Sequence, residues 1–416
     1  MKKLLSVTFF SGILTLVKMA SGFVIAKVVA VYAGPAGMAM LGQIQNIATS
    51  LNGIVNAPVG SGIVRYTAEN HNKGIEYCSA WWKASFRWVI IFLTIIIPIC
   101  FLFSTELSEW LLNDPTYNWI IQLIAIFLPL TAIGTFINSV INGQQQYKRF
   151  VIMGMCSVVI STLIMVFCII QYEIKGALVA ASIQSGLIGI VMIIGTLRQP
   201  WFKLSFLFGS TEKENRKKIG GYILMAITSA IMMPLSLVMV RNIIIDNVGW
   251  DGAGQWQAVW KISEAYLAVI TISLGTYFLP KLSTLNRIED IKKEINQTIK
   301  IVIPIVIAMS LAVYLLRDII INLLFTKQFH EARELFAIQL IGDVVKITSW
   351  IYAYPMLSRG ATKWFVCLEI IFSITFVILT WFLIPCFSVK GANIAYVINY
   401  LFYFLMVYLN MSKFWR

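Results

Sequence analysis

The chain has 416 residues, 59% of them hydrophobic and 12% charged, with a mean hydropathy of +0.80. That composition excludes a soluble fold, whose surface needs far more polar side chains, and it turns the net charge of +14 into a question of membrane orientation, with no nucleic-acid partner implied. Two His and six scattered Cys (78, 100, 156, 168, 367 and 386) provide no CxxC pair and no metal-ligand spacing, so no metal or cofactor is expected and the cysteines read as buried free thiols.

The N-terminal stretch MKKLLSVTFFSGILTLVKMASGFVIAKVVAVY begins like a signal peptide. Its apolar run is too long for one and no small-x-small cleavage site follows, so it is expected to stay as the first helix. Long apolar runs separated by short polar ones mean helices, not the alternating strands of a barrel. At about 20 residues per crossing the chain divides into twelve predicted spans: 4–32, 36–64, 84–104, 117–142, 150–170, 176–197, 219–246, 252–280, 298–325, 332–357, 363–385 and 391–412. AGPAGMAMLGQ after span one and VGWDGAGQWQ after span seven share a GxxG turn, Gly34/Gly37 and Gly249/Gly252, at an offset of 215 residues. At nearly that offset Lys27 answers Arg241.

The longest polar segment, RQPWFKLSFLFGSTEKENRKK, follows span six and halves the chain. The expected organisation is therefore an N-terminal six-helix lobe (1–197), a basic cytoplasmic linker (198–218) and a C-terminal six-helix lobe (219–416). Loop charge alternates along this scheme. One set of loops holds 23 Lys and Arg, the other 5 (Lys175, Arg317, Lys327, Arg333, Lys390), and 5 fall within spans, which accounts for all 33. The positive-inside rule then puts both termini in the cytoplasm. Two six-helix bundles of like orientation place a substrate cavity between them.

Four predicted spans carry a polar stripe. Gln339, Asp343, Lys346 and Trp350 fall at i, i+4, i+7 and i+11 on one face of span ten, with the two charges roughly 15–20 Å from the outer surface. Gln257, Lys261 and Glu264 repeat the device on span eight. Gln45, Thr49, Asn52 and Asn56 form an uncharged version on span two, and Ser11, Thr15 and Lys18 lie on span one. Lipid cannot face such stripes, so a water-filled cavity is expected, net cationic from Lys18, Lys27, Arg241, Lys261 and Lys346 against Glu264 and Asp343. That charge suits a phosphate or pyrophosphate. The uncharged stripe residues and Gln257, Gln339 and Trp350 are the candidate saccharide contacts, and Glu264 and Asp343 are candidates for gating or coupling by exchange of Lys partners. Competing structural readings are mutual neutralisation of Lys261/Glu264 and Asp343/Lys346, snorkelling of Lys27 and Arg241 to the outer interface, pairing of Glu369 with Lys363 or Arg359, and interface anchoring by the Trp and Tyr near helix ends.

GxxxxGK[ST], GxSxG and HExxH are all missing, no outer loop exceeds about fifteen residues, and no selectivity-filter sequence is present. These absences disfavour an ATPase, a hydrolase, a channel and a membrane-embedded glycan polymerase or ligase, leave no catalytic residues to name, and point to a secondary transporter.

VYAGPAGMAMLGQIQNI (31–47), GSGIVRYTAE (60–69), GQWQAVWKISEAYL (254–267), TYFLPKLSTL (276–285) and LLRDIIINLLFTKQFHEARELFAIQLIGDVVKI (315–347) resemble the Wzx flippases, most closely their common-antigen members. These form the polysaccharide-transporter branch of the MATE/MOP superfamily. The resemblance implies a protein of the Gram-negative inner membrane that moves an undecaprenyl-pyrophosphate-linked oligosaccharide, an O-antigen or common-antigen repeat unit, from the cytoplasmic to the periplasmic leaflet by alternating access. The implied partners are that lipid-linked saccharide and membrane lipid, with protons or sodium as candidate coupling ions and an O-antigen polymerase and chain-length regulator as candidate associates. The rivals are a MATE-like small-molecule exporter, expected to prefer an acidic cavity, a flippase for peptidoglycan precursor, and the polymerase or ligase already disfavoured.

Overall fold

A computed structural model describes residues 2–285 and 287–413, and only the backbone at 2–11, 221–222 and 412. Among the described residues there is no strand. The helices are α1 (Lys2–Tyr32), α2 (Gly34–Asn56), α3 (Ser61–Asn70), α4 (Ile75–Leu102), α5 (Ser104–Leu112), α6 (Asn118–Gly143), α7 (Tyr147–Ile194), α8 (Leu204–Leu207), α9 (Lys213–Val248), α10 (Trp250–Ser273), α11 (Leu279–Thr284), α12 (Ile288–Leu324), α13 (Phe336–Ser358), α14 (Thr362–Phe387) and α15 (Lys390–Asn410). Ten helical segments among the described residues are long and apolar enough to cross a bilayer, so the chain is a multi-pass membrane protein. Lipid offers no partner to a backbone N–H or C=O, and the helix satisfies both internally.

The chain packs as two compact units, the first Met1–Tyr32 with Leu41–Leu235, the second Ala33–Met40 with Ser236–Arg416. In the first unit α7 packs against α1 and α6. The 48 residues of α7 are two helices joined at Glu173, whose φ of 49° and ψ of −123° break the helical path. The chain doubles back there, bringing Gly176 against the carbonyl of Cys168. The break falls between the predicted spans 150–170 and 176–197. Gly134 of α6 and Gly189 of α7 let their backbones meet, since a Cβ at Gly134 would lie 2.6 Å from the Gly189 Cα. Predicted span 36–64 is not one helix. It ends at Asn56, passes through a 3₁₀ turn at Ala57–Val59 and restarts as α3, where Thr67 Oγ1 accepts from Trp82 Nε1 of α4 at 3.0 Å. The 198–218 segment packs on this unit. Trp201 and Leu207 are buried in the core with Trp82 and Phe136, and Ser79 Oγ donates to the Phe206 carbonyl at 3.1 Å.

In the second unit α10 runs through a π turn at Leu274–Phe278 into α11, and α13 packs against α10, α11, α12, α14 and α15. Of the two glycines in each GxxG, only the first makes the turn: Gly34 and Gly249 have φ of 63° and 90°, a region a side chain would oppose. Gly37 and Gly252 are helical. Both turns belong to this unit, where Gly254 lies against the Pro35 backbone and Gln255 ties α10 to the 3₁₀ segment Lys327–Leu335 by donating to the Gln328 carbonyl at 2.6 Å and accepting from the Ala332 N–H at 3.0 Å. On α12, Leu311, Leu315, Ile319 and Leu323 form an exposed apolar ridge at four-residue spacing, as a lipid-facing helix requires. The cysteine expectation is corrected here. Cys78 and Cys100 are buried, but Cys156, Cys367 and Cys386 are exposed on apolar helices, where a small, weakly polar thiol suits lipid as well as a core does.

Candidate functional site

The polar residues of the second unit gather on α13 and its neighbours. Asp343 is fully buried, and its carboxylate is held by uncharged donors: Tyr266 of α10 at 2.7 Å to Oδ2, Tyr396 of α15 at 2.9 Å to Oδ1, and Gln339 Nε2, one turn earlier, at 3.3 Å. A further ring of bonds supports them. Asn393 Nδ2 donates to Gln339 Oε1 at 2.8 Å, and the Tyr266 hydroxyl meets Ser310 Oγ of α12 at 3.1 Å. Four helices thus converge on one carboxylate. Gly342 makes room for the network, because a Cβ there would approach the Tyr396 Cε1 to 2.6 Å.

Lys346 follows a different logic. Its ammonium is 5.0 Å from the centroid of Trp350, 5.7 Å from Trp260, 5.8 Å from Tyr400 and 5.9 Å from Tyr396. Four ring faces offset part of the cost of burying the charge, each contributing about 0.5–2 kcal/mol. Among the described residues this ammonium donates no hydrogen bond, and no ion pair joins it to Asp343. Side chains at i and i+3 can meet, but Asp343 and Lys346 make no direct ion pair: each charge still acts on the other at longer range, while its close contacts go to other partners. The result is a cation with three unused N–H donors in an aromatic box, beside a carboxylate held by tyrosine hydroxyls.

The other predicted charges behave individually. Lys261 and Glu264 do form a pair on α10 at 3.7 Å, with Lys261 half-buried and Glu264 exposed, and Glu264 also accepts from Trp260 Nε1 at 2.8 Å. Among the described residues no ion pair links them to Asp343 or Lys346; α10 reaches α13 through Tyr266 instead. Arg241 does not snorkel. It is 1% exposed, donates from Nη2 to Gln257 Oε1 at 2.5 Å and lies 5.6 Å from the Trp256 ring. The pairing expected of Glu369 with Lys363 or Arg359 is absent among the described residues, where Arg359 donates to the Leu285 carbonyl instead. Trp256, Trp260, Tyr396 and Tyr400 are all buried in this unit.

In the first unit Lys18 is exposed and Lys27 half-buried. Gln45, Asn52 and Asn56 of α2 are half-buried; Thr49 is exposed and returns its hydroxyl to the Gln45 carbonyl at 2.6 Å. The side-chain oxygens of Asn52 and Asn56 are buried without a hydrogen-bond partner. The Ser11 side chain lies outside the described residues.

Sequence reasoning missed Tyr266, Tyr396, Tyr400, Trp260, Asn393 and Ser310. A signal existed for three of them, since Asn393, Tyr396, Tyr400 and Tyr403 recur at i, i+3, i+7 and i+10 on one face of α15.

Residues 41–334 match the family described as polysaccharide biosynthesis protein. The chain is 29% identical over 395 residues to the lipid III flippase of Escherichia coli (strain K12), covering 94% of each. Its fold is similar to the inward-facing conformation of a multidrug resistance MATE family transporter of the MOP superfamily, with a TM-score of 0.72 at 14% identity over 96% of this chain and 98% of that one. The outward-facing conformation of such a transporter gives 0.70 at 13% identity, covering 98% and 96%. With the family match spanning well over half its length, the chain belongs to the polysaccharide biosynthesis protein family.

Proposed function

We propose that this protein is a flippase that moves an undecaprenyl-pyrophosphate-linked oligosaccharide from the cytoplasmic to the periplasmic leaflet of a bacterial inner membrane by alternating access. The likeness to a lipid III flippase along 94% of both chains supports the class of cargo. The observation that carries the chemistry is the Lys346 ammonium, buried in an aromatic box with its N–H donors unspent. A pyrophosphate offers such a donor charge-assisted hydrogen bonds, which exceed neutral ones in strength.

In this reading the chain crosses the membrane twelve times with both termini in the cytoplasm, counting α2 and both halves of α7 as crossings. The functional lobes are 1–197 and 219–416, joined by 198–218. Lys346 is the principal anion receptor, with Lys18, Lys27, Arg241 and Lys261 adding to the cationic field. Gln45, Thr49, Asn52, Asn56, Gln257, Gln339 and Trp350 contact sugar. The saccharide and pyrophosphate travel in water while the polyprenyl tail stays in lipid. Asp343 is the coupling group and Glu264 a gating partner, with protons or sodium as the coupling ion, and the protein hands its product to an O-antigen polymerase and chain-length regulator. No covalent bond changes, so the activity is transport and not catalysis.

Complementation tests this reading. Lys346→Met should fail to restore surface polysaccharide in a flippase-null strain while reaching wild-type membrane levels. Full complementation would remove Lys346 from the mechanism.

A further inference from the structure

Away from the Asp343–Lys346 centre, the N-terminal part of α12 and the ends of α13 and α15 enclose a recess of about 380 Å³, within the range of small-ligand sites of about 300–1,000 Å³. Its polar wall is Lys292 and Asn296 of α12, faced by Tyr352 of α13 and Tyr408 of α15. Its rim includes Ile288 and Leu409, which are 45% and 71% exposed. The recess is built on a fixed frame: Ile295, which lines it, and Ile291, one turn earlier, are each 1% exposed in the core of the unit. Tyr352 packs edge-on against Tyr408, with ring centroids 5.5 Å apart.

Depth points to the occupant. The apolar run of α12 starts at Ile301, and Asn296 and Lys292 precede it by five and nine residues, or about 8 and 14 Å at helical rise. That is the level of headgroups and interfacial water, outside the roughly 30 Å hydrocarbon layer. A lone ammonium, an amide and two phenols match a singly charged phosphodiester, and the exposed Ile288 and Leu409 offer the adjoining surface to an acyl chain. Basic pockets between helices at the cytoplasmic face are the places where anionic headgroups bind.

We propose that this recess binds the phosphodiester headgroup of an anionic phospholipid of the inner leaflet. The proposal rests on the orientation given above, with both termini, and hence the connection between predicted spans eight and nine, on the cytoplasmic side. The lipid wedges the base of α12 against α13 and α15.

Native mass spectrometry of the full-length protein tests this, with phosphatidylglycerol and phosphatidylcholine offered separately. Wild type should retain phosphatidylglycerol and not phosphatidylcholine. Lys292→Glu should reduce that retention at least about five-fold, the scale of one basic residue near an anionic surface, whereas Lys281→Glu, an exposed change on α11, should leave it unchanged. Lys292→Met supplies the same reading if Lys292→Glu does not fold. Equal retention in the Lys292 variants and wild type, equal retention of both lipids, or an equal loss in Lys281→Glu would each overturn the site. Displacement of phosphatidylglycerol by millimolar inorganic phosphate would make it a free-phosphate site and overturn the lipid assignment. Flippase activity is read separately: Lys346→Met should lose leaflet exchange and keep phosphatidylglycerol, so failure of one reading leaves the other standing.

Discussion

Tyr396 touches both members of the buried charge pair on α13, donating its hydroxyl to Asp343 at 2.9 Å while its ring lies 5.9 Å from the Lys346 ammonium. Its hydroxyl supplies part of the carboxylate's hydrogen bonding, while the Lys346 ammonium keeps its N–H donors unspent. In a low-dielectric interior a direct Asp–Lys pair would hold both groups to each other and offer little to a ligand.

If that is the role of the tyrosines, their removal should weaken the carboxylate's support more than the packing. Tyr396→Phe keeps the ring and deletes one hydrogen bond to Asp343, which should cost about 1.5–3 kcal/mol, as for a bond to a charged group. Tyr266→Phe should cost a similar amount. Because both bind one carboxylate, the double variant should depart from additivity. Thermal unfolding of the purified single and double variants in detergent gives the cycle; strict additivity would mean that the two hydroxyls do not share Asp343.

Gly342 supplies a steric test of the same network. Its missing Cβ accommodates the Tyr396 ring, so Gly342→Ala should push α15 from α13 and destabilise by about 1–3 kcal/mol, the usual cost of overpacking. Hydrogen–deuterium exchange should rise in α13 and α15. Wild-type exchange there would show that the ring can move aside.

Arg241 should not tolerate a lysine. The guanidinium reaches Gln257 and lies over Trp256 while almost fully buried, a planar geometry that an ammonium does not reproduce. Arg241→Lys should lose about 1.5–3 kcal/mol of stability, the scale of a hydrogen bond made by a charged group. A melting temperature equal to wild type would refute the assigned contacts.

Much of this was legible before any coordinates. Asp343 and Lys346 stand out because charges in apolar runs are expensive and therefore informative, and GxxG marked Gly34 and Gly249 because a positive φ selects glycine. The partners were not legible. A tyrosine has the same amphipathic character whether its hydroxyl meets headgroups or a buried carboxylate, so nothing in the sequence singles out Tyr396 as a partner of Asp343. Lys346 and Asp343 looked paired because helical spacing gives proximity and not rotamers. The 198–218 segment read as a basic linker because its charges outnumber its apolar residues locally, yet Trp201 and Leu207 are enough to seat it in the core of the first unit. The bend that ends α2 at Asn56 carries no strong sequence mark beyond Pro58 and Gly60.

The central claim is that Lys346 receives the anionic group of a lipid-linked saccharide. Replacing the cation by Met preserves the volume that fills the aromatic box, and the Asp343 carboxylate keeps its Tyr266, Tyr396 and Gln339 donors. The direct measurement is leaflet exchange of a defined polyprenyl-pyrophosphate saccharide in liposomes holding wild-type protein or Lys346→Met. Wild type should exchange the substrate, and Lys346→Met should be slower by about tenfold or more, the equivalent of one charge-assisted hydrogen bond. Equal rates in the two, or no exchange of any polyprenyl-pyrophosphate saccharide by wild type together with drug extrusion, would contradict the account.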